Sequence, residues 1–407
     1  MQKRGFWFGL LLAIVAIASW FGDVAPADAL SPQRQLVAEA WRIVNRAYVD
    51  ENFNGQNWWR LREQYLRRRM DTMEAAYDTV DEMLGLLDEP FTRLLRPDAY
   101  RNLRVTTSGE LTGVGLQIAF DPETKQLRTI APIAGSPAEA AGIEPGDYIL
   151  NIDGVPTDRL SLDEAATRMR GAIGTHVVLR VQRSLDRSIE DIDITRAAIS
   201  IDAVVANLLT TDLAPELKLG YIRLSQFNAT ATESVAESIA DLEDRGANAY
   251  VLDLRSNPGG LLTAGIEIAR LWLNDSTIVY TVNRQSILES YEAVHNALTD
   301  APLVVLVNRG TASASEILAG ALQDNGRALL VGDRTFGKGL IQSLFDLTGD
   351  AGLAVTVAKY ETPNHRDINK QGIEPDYLVT DKPDTIADLG TDRDPFVRRA
   401  IELLAQT

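Results

Sequence analysis

The chain contains no cysteine. Disulfides, a thiol nucleophile and thiolate-bound metal are thereby excluded. A chain without disulfides must rest on its apolar core, and 407 residues with 45% hydrophobic content are enough for one. Histidine is nearly as scarce: His176, His295 and His365 are the whole complement. The first falls in a strand-like run, the second on a helix-like surface stretch and the third in a polar loop, all away from the Gly/Ser-rich turns. A Ser–His–Asp triad and a histidine metal site therefore have little to draw on, and neither metal nor cofactor is expected. A basic excess is missing too. The net charge of −17 argues against a nucleic-acid partner, which needs a positive footprint.

Long apolar runs are absent beyond the first thirty residues. There, Lys3 and Arg4 precede an apolar stretch from Phe6 to Phe21, followed by small residues around Ala25–Ala29. That order predicts a secretory leader over residues 1–29, cleaved after Ala27 or Ala29, and a soluble exported protein. The apolar stretch is shorter than the roughly 20 residues that span a bilayer.

What is present has three textures. Residues 30–104 carry helical periodicity, with Leu36, Ala40, Ile43, Val44 and Ala47 on one face and Met73, Ala76, Tyr77, Val80 and Leu84 on another. Residues 105–195 turn to short β-rich runs punctuated by glycine, including an Asp153-Gly154 hairpin signal. From residue 196 to 407, strand-like and helix-like runs alternate, the pattern of an α/β layer structure. The expected fold is a multidomain α/β protein with an N-terminal helical region, a β-rich module, and an α/β core ending in a helix.

Within the core, three turns stand out: Asp253–Gly260, Asn308–Glu316 and Thr335–Gln342. Thr311, Ser313 and Ser315 are each suited to capping the helix that follows. A serine there is also well placed as a nucleophile, since free N–H groups at a helix start stabilise a developing oxyanion. The residue types alone leave the three open. Gly332–Lys338 fits the opening of a phosphate-binding loop, but Gly339 replaces the metal-ligating Ser/Thr and no amphipathic helix follows. A lysine base is the other use for Lys338, and it must be neutral, with its pKa lowered from about 10.4 by burial.

The runs GVGLQI, SPAEAAGIEPGDYILNIDG and LDEAATRMRG resemble a PDZ domain. The resemblance implies that Gly113, Val114, Gly115 and Leu116 hold the terminal carboxylate of a peptide that adds to the sheet as a strand. The run TASASEILAGALQDNGRALLVGDRTFGKGLIQS resembles the catalytic core of the carboxyl-terminal processing peptidases. By that resemblance Ser313 is the nucleophile, Lys338 the base, and Gln342 holds the lysine. Gly259 and Ala314 then supply the oxyanion N–H groups, and Asp324 matches a position named with the dyad. Asp324 lies three helical turns from Ser313, about 16 Å along a straight helix, which suits a structural or charge-pairing role. FNGQNWWRLREQYL and DEPFTRLL are most similar to the branch from photosynthetic organisms. That branch implies an enzyme of the thylakoid lumen, with the periplasm as the alternative; a monomer is expected. Its substrate would be a membrane-embedded protein, the photosystem II reaction-centre core precursor, with a free C-terminal tail. A tail-recognising protease of broader specificity and a non-catalytic peptide binder on the same scaffold are the alternatives. One local departure from the family is His365, where glycine is usual.

Overall fold

The computed structural model describes residues 30–406, apart from 122–123, 134, 201, 286–287, 296, 382, 384 and 386–387. The predicted leader lies outside the described residues. Among those residues, no helix is long and apolar enough to cross a membrane.

The chain divides into two compact units. One comprises the described residues up to Pro97 together with Ser343–Val355. Its helices are α1 (Pro32–Ala47), α2 (Trp58–Leu66) and α3 (Met73–Gly85), followed by a short strand β1 (Arg93–Leu95). Ser31, Asn57 and Thr72 cap the three helices with their side chains. Two tryptophans clamp α1 to α2: Trp41 Nε1 donates to the Trp58 carbonyl (2.7 Å) and Trp58 Nε1 to that of Trp41 (3.2 Å). The Ser343–Val355 segment, read from sequence as part of the core, joins this unit by β1 pairing with Gly352–Ala354 and by Thr348 donating to Glu39.

The second unit holds the β-rich module and the α/β core. Helix α4 (Pro97–Ser108) leads into β2 (Glu110–Gly113). The module's sheet orders β3 (Leu116–Phe120), β4 (Leu127–Pro132), β5 (Tyr148–Ile152), β7 (His176–Gln182) and β8 (Ile189–Thr195). Short β6 (Val155–Pro156) folds back on β5 through the expected Asp153-Gly154 turn, both residues at positive φ. Helices α5 (Pro137–Ala140) and α6 (Leu162–Met169) close a separate small core around Leu127, Ile149, Val177 and Leu179. Strand β9 (Ala197–Ser200) then pairs antiparallel with β2. The module is therefore attached by a two-stranded stem that extends past residue 195.

The core sheet runs β10 (Val204–Leu209), β11 (Leu219–Leu224), β12 (Ala249–Asp253), β15 (Leu303–Val307), β16 (Ala328–Gly332) and β19 (Tyr377–Leu378), parallel from β11 onward. Spatial order follows chain order, so right-handed crossovers place every connecting helix on one face. Those helices are α7 (Ala231–Asp244), α8 (Leu262–Arg270) and α9 (Ala314–Asp324). Alternate strand residues such as Leu252, Val305 and Leu330 pack with them, while Val251, Val304 and Val331 face α10 (Pro395–Leu404). A hairpin of β13 (Ser276–Asn283) and β14 (Leu288–Ala293) was not expected from sequence. His295 follows β14 in a loop, not on a helix, and pairs with Asp275. The other hairpin, β17 (Leu340–Asp346) and β18 (Gly352–Glu361), follows Lys338 where a phosphate-binding loop needs a helix. His365 has φ +56°, the backbone state that favours glycine, and is held by stacking on Tyr280 and by Glu361.

Arg255, buried at the end of β12, joins the sheet to its last helix. It donates to Asp253 (2.6 Å) and to Asp394 (2.7 Å), the N-cap of α10, while Tyr221 donates to Asp253 (2.7 Å). Burial alone would lower the guanidinium pKa, but Asp253 and then Asp394 carry it above its ordinary value. Asp394→Ala strands half of this buried charge and should cost about 3–5 kcal/mol. Urea unfolding checks it: a lowered midpoint is expected, and an unchanged one contradicts the role.

Candidate active site

The loop after β15 carries the three hydroxyls that sequence left open, and their partners separate them. Thr311 Oγ1, fully buried, donates to the Leu254 carbonyl (2.8 Å) and accepts from Asn308 N (3.0 Å). Ser315 Oγ, also fully buried, donates to the Asn257 carbonyl (3.0 Å). Ser313 is only half-buried, and it holds φ +57° and ψ −119°. That conformation is strained for a residue with a Cβ and persists because neighbours over-determine it. Its carbonyl accepts from Glu316 N (2.8 Å), Ile317 N (3.0 Å) and the Tyr360 hydroxyl (3.2 Å). A serine on a strained strand-to-helix turn is the arrangement that presents a nucleophile.

Glu316, completely buried, ties this turn to the loop bearing Lys338. One oxygen, Oε2, accepts from both Ser313 N (2.9 Å) and Lys338 N (2.9 Å). The other, Oε1, accepts from Thr335 Oγ1 (2.5 Å) and Gly337 N (2.7 Å). The lysine loop is held from its far side as well: Ile373 N donates to Thr335 Oγ1 (2.7 Å), and Lys370 N to the Gly337 carbonyl (2.8 Å). In the sequence, Glu316 stands three residues after Ser313. The S-x-x-E capping pattern was the available signal, and the reach back to Ser313 N is half of a capping box. The bridge to Lys338 had no local signal. Burial and then the charges of Glu316 and Asp367 raise the Tyr360 phenol well above its ordinary pKa, so it remains a donor to Ser313.

The Asp253–Gly260 turn stands against the serine. A Cβ on Gly259, at φ +97°, would lie 2.8 Å from Ser313 Cβ and 3.0 Å from Ala314 N, so only glycine fits. Ala314 opens α9, and its N–H has no partner within the helix. The Gly259 N–H, expected at the oxyanion, is donated to Asn257 Oδ1 (2.9 Å). Gln342 donates to Thr356 Oγ1 (3.3 Å) on β18. Asp324 is not brought to Ser313. It ends α9, accepts from Asn364 N (2.9 Å) and pairs with Arg366. In the module, Gly113–Leu116 links β2 to β3; the Val114 carbonyl accepts from Ala138 N (2.8 Å) and that of Gly115 from Ile133 N (2.9 Å).

Glu316→Gln keeps the shape but turns an amide NH₂ toward donors on one side. Leaving buried donors without an acceptor should cost about 1–3 kcal/mol in urea unfolding, with the fold intact by circular dichroism. An unaltered urea midpoint would contradict the bracket.

Comparison with known proteins places these features in a family. Residues 218–379 match the peptidase family S41, residues 130–183 the PDZ domain, and residues 33–85 the tricorn protease C1 domain. A carboxyl-terminal-processing protease of Picosynechococcus is 55% identical over 406 residues, covering 100% of this chain and 97% of the relative. A chloroplastic carboxyl-terminal-processing peptidase 2 of Arabidopsis thaliana is 44% identical, covering 90% of this chain and 73% of the relative. A solved photosystem II D1 C-terminal processing protease is 41% identical with a TM-score of 0.56, covering 86% of this chain and 93% of the other. The β-rich module is thus a PDZ domain, the α/β core is a serine peptidase core, and the chain belongs to peptidase family S41 among the carboxyl-terminal-processing proteases.

Proposed function

We propose that Ser313 and Lys338 form the catalytic dyad of an endopeptidase that removes a C-terminal extension. The observation that carries this is the single Glu316 oxygen shared by the two residues' backbone N–H groups. Ser313 Oγ attacks the scissile carbonyl carbon while its proton passes to neutral Lys338 Nζ. Ala314 N–H, with Gly259 N–H, stabilises the oxyanion. Collapse expels the amine, which takes the lysine's proton and leaves an acyl-enzyme on Ser313. Water then adds, its proton following the same path through Lys338 back to Ser313, and the carboxylic acid leaves. Gln342 orients the lysine from β17, and Asp324 serves the fold by pairing with Arg366.

Substrate choice follows the PDZ domain, whose Gly113–Leu116 loop holds the free carboxylate. The substrate we favour is the precursor of the photosystem II D1 protein, membrane-embedded with its tail in the lumen. Similarity to a protease named for that processing supports it. The leader predicted over residues 1–29 fits delivery to the thylakoid lumen or periplasm. Every group invoked comes from one chain, so a monomer suffices.

Ser313→Ala and Lys338→Ala should each abolish cleavage of a peptide carrying the D1 precursor tail, with product masses as the readout. Normal turnover by either variant sinks the mechanism. Excision of residues 106–195 should change activity on the same peptide, and unaltered kinetics would refute delivery by the PDZ domain.

A further inference from the structure

The turn that carries one expected oxyanion donor is shaped by a single side chain. Asn257 is completely buried and holds four neighbours together. Its Nδ2 donates to the Leu224 carbonyl at the end of β11 (2.8 Å). Its Oδ1 accepts the Gly259 N–H (2.9 Å). Its own carbonyl accepts from Ala312 N (3.0 Å) and Ser315 Oγ (3.0 Å), on either side of Ser313. Behind the turn, Gly260 lies against β11's continuation: Phe227 N donates to the Gly259 carbonyl (3.1 Å) and Leu261 N to that of Phe227 (2.7 Å). The turn is therefore fixed on both sides by backbone bonds, and its Gly259 N–H is held by the Asn257 side chain.

We propose that Asn257 is a positioning residue that keeps the Gly259 N–H for the transition state. The inference rests on the Ser313–Lys338 reading above. A substrate's ground-state carbonyl is a neutral acceptor, as is the Asn257 amide oxygen, so exchanging one for the other gains nothing. A tetrahedral oxyanion is a charged acceptor, and charge-assisted hydrogen bonds are roughly twice as strong. Only the oxyanion draws the N–H away from Asn257. An interaction made only in the transition state raises kcat without tightening substrate binding. The Asn257 amide thus has two tasks. It sets the turn against Ser313, and it withholds the donor until charge develops.

Asn257→Asp and Asn257→Ala separate these tasks. The probes are a substrate-sequence peptide aldehyde and the released C-terminal product peptide, whose carboxylate is at its far end and not at the scissile carbonyl. With the aldehyde, Ser313 Oγ adds to the carbonyl carbon, the Oγ proton passes to Lys338, and the aldehyde oxygen becomes a hemiacetal oxyanion. In Asn257→Asp the acceptor carries the same charge as the oxyanion and keeps the N–H. Its kcat and aldehyde affinity should both fall by about 10²–10³-fold, the effect of losing one oxyanion donor. Its KM and product affinity should stay within about twofold of the unsubstituted enzyme, as expected for a loss confined to the transition state. In Asn257→Ala the donor is released to ground state and transition state alike. Its KM should drop, and its ratio of aldehyde to product affinity should exceed that of Asn257→Asp by about tenfold or more, by the same donor effect. Equal losses of that ratio in both variants would reduce Asn257 to a structural residue and overturn the proposal. Undiminished aldehyde affinity in Asn257→Asp would overturn it as well. If Asn257→Asp does not fold, a KM for Asn257→Ala that stays level or rises is enough to reject it. Undiminished aldehyde binding to Ser313→Ala would instead defeat the underlying dyad reading.

Discussion

Two amides sharing one carboxylate oxygen set the geometry on which the site depends. Ser313 and Lys338 are 25 residues apart, on different turns, and Glu316 Oε2 accepts from both. A completely buried carboxylate is costly unless hydrogen-bonded throughout, and Glu316 has four donors over its two oxygens. The same bonds that satisfy it fix the serine's strained backbone and the lysine's entry into the site. Placement of Ser313 against Lys338 and burial of the charge are thus one requirement. Loss of any donor would leave lone pairs unsatisfied as well as letting the two loops drift.

The sheet explains why such a site forms where it does. Strands β11, β12, β15 and β16 advance in one direction, so α7, α8 and α9 cover one face and their N-termini open at a common edge. Ser313 stands at one such N-terminus, beside the turn that follows β12. On the opposite face, Arg255 spans from that turn to α10 through Asp253 and Asp394. The PDZ domain has its own core and joins by the β2–β9 stem, which lets the peptidase edge and the Gly113–Leu116 loop be built by separate packing.

Much of this was legible in the chain. The buried β12 and β15, the helix behind Ser313 and the Asp153-Gly154 turn follow from periodicity and turn chemistry, and the structure places them within a residue or two. Three things were hidden for physical reasons. Thr311, Ser313 and Ser315 are equal as caps; what separates them is long-range, since Leu254 and Asn257 claim the outer two. The Ser343–Val355 segment looks like any hairpin, and only pairing with Arg93–Leu95 moves it to the first unit. Strand β14, LESYEA, carries charge and little apolar pattern because it is a sheet edge. The resemblance named Ser313 and Lys338, while the bridge from Glu316 to Lys338 and the contacts of Asn257 came from distances that no spacing encodes.

The central claim is that Ser313 forms a covalent intermediate with Lys338 as its base. It is tested most directly by acid-quenching the enzyme with a tail-bearing peptide inside the first turnover and weighing the intact protein. The account predicts an adduct equal in mass to the acyl portion of the substrate, mapped to Ser313 and missing from Lys338→Ala. Turnover at the normal rate with no adduct, or with the adduct on another residue, would contradict it.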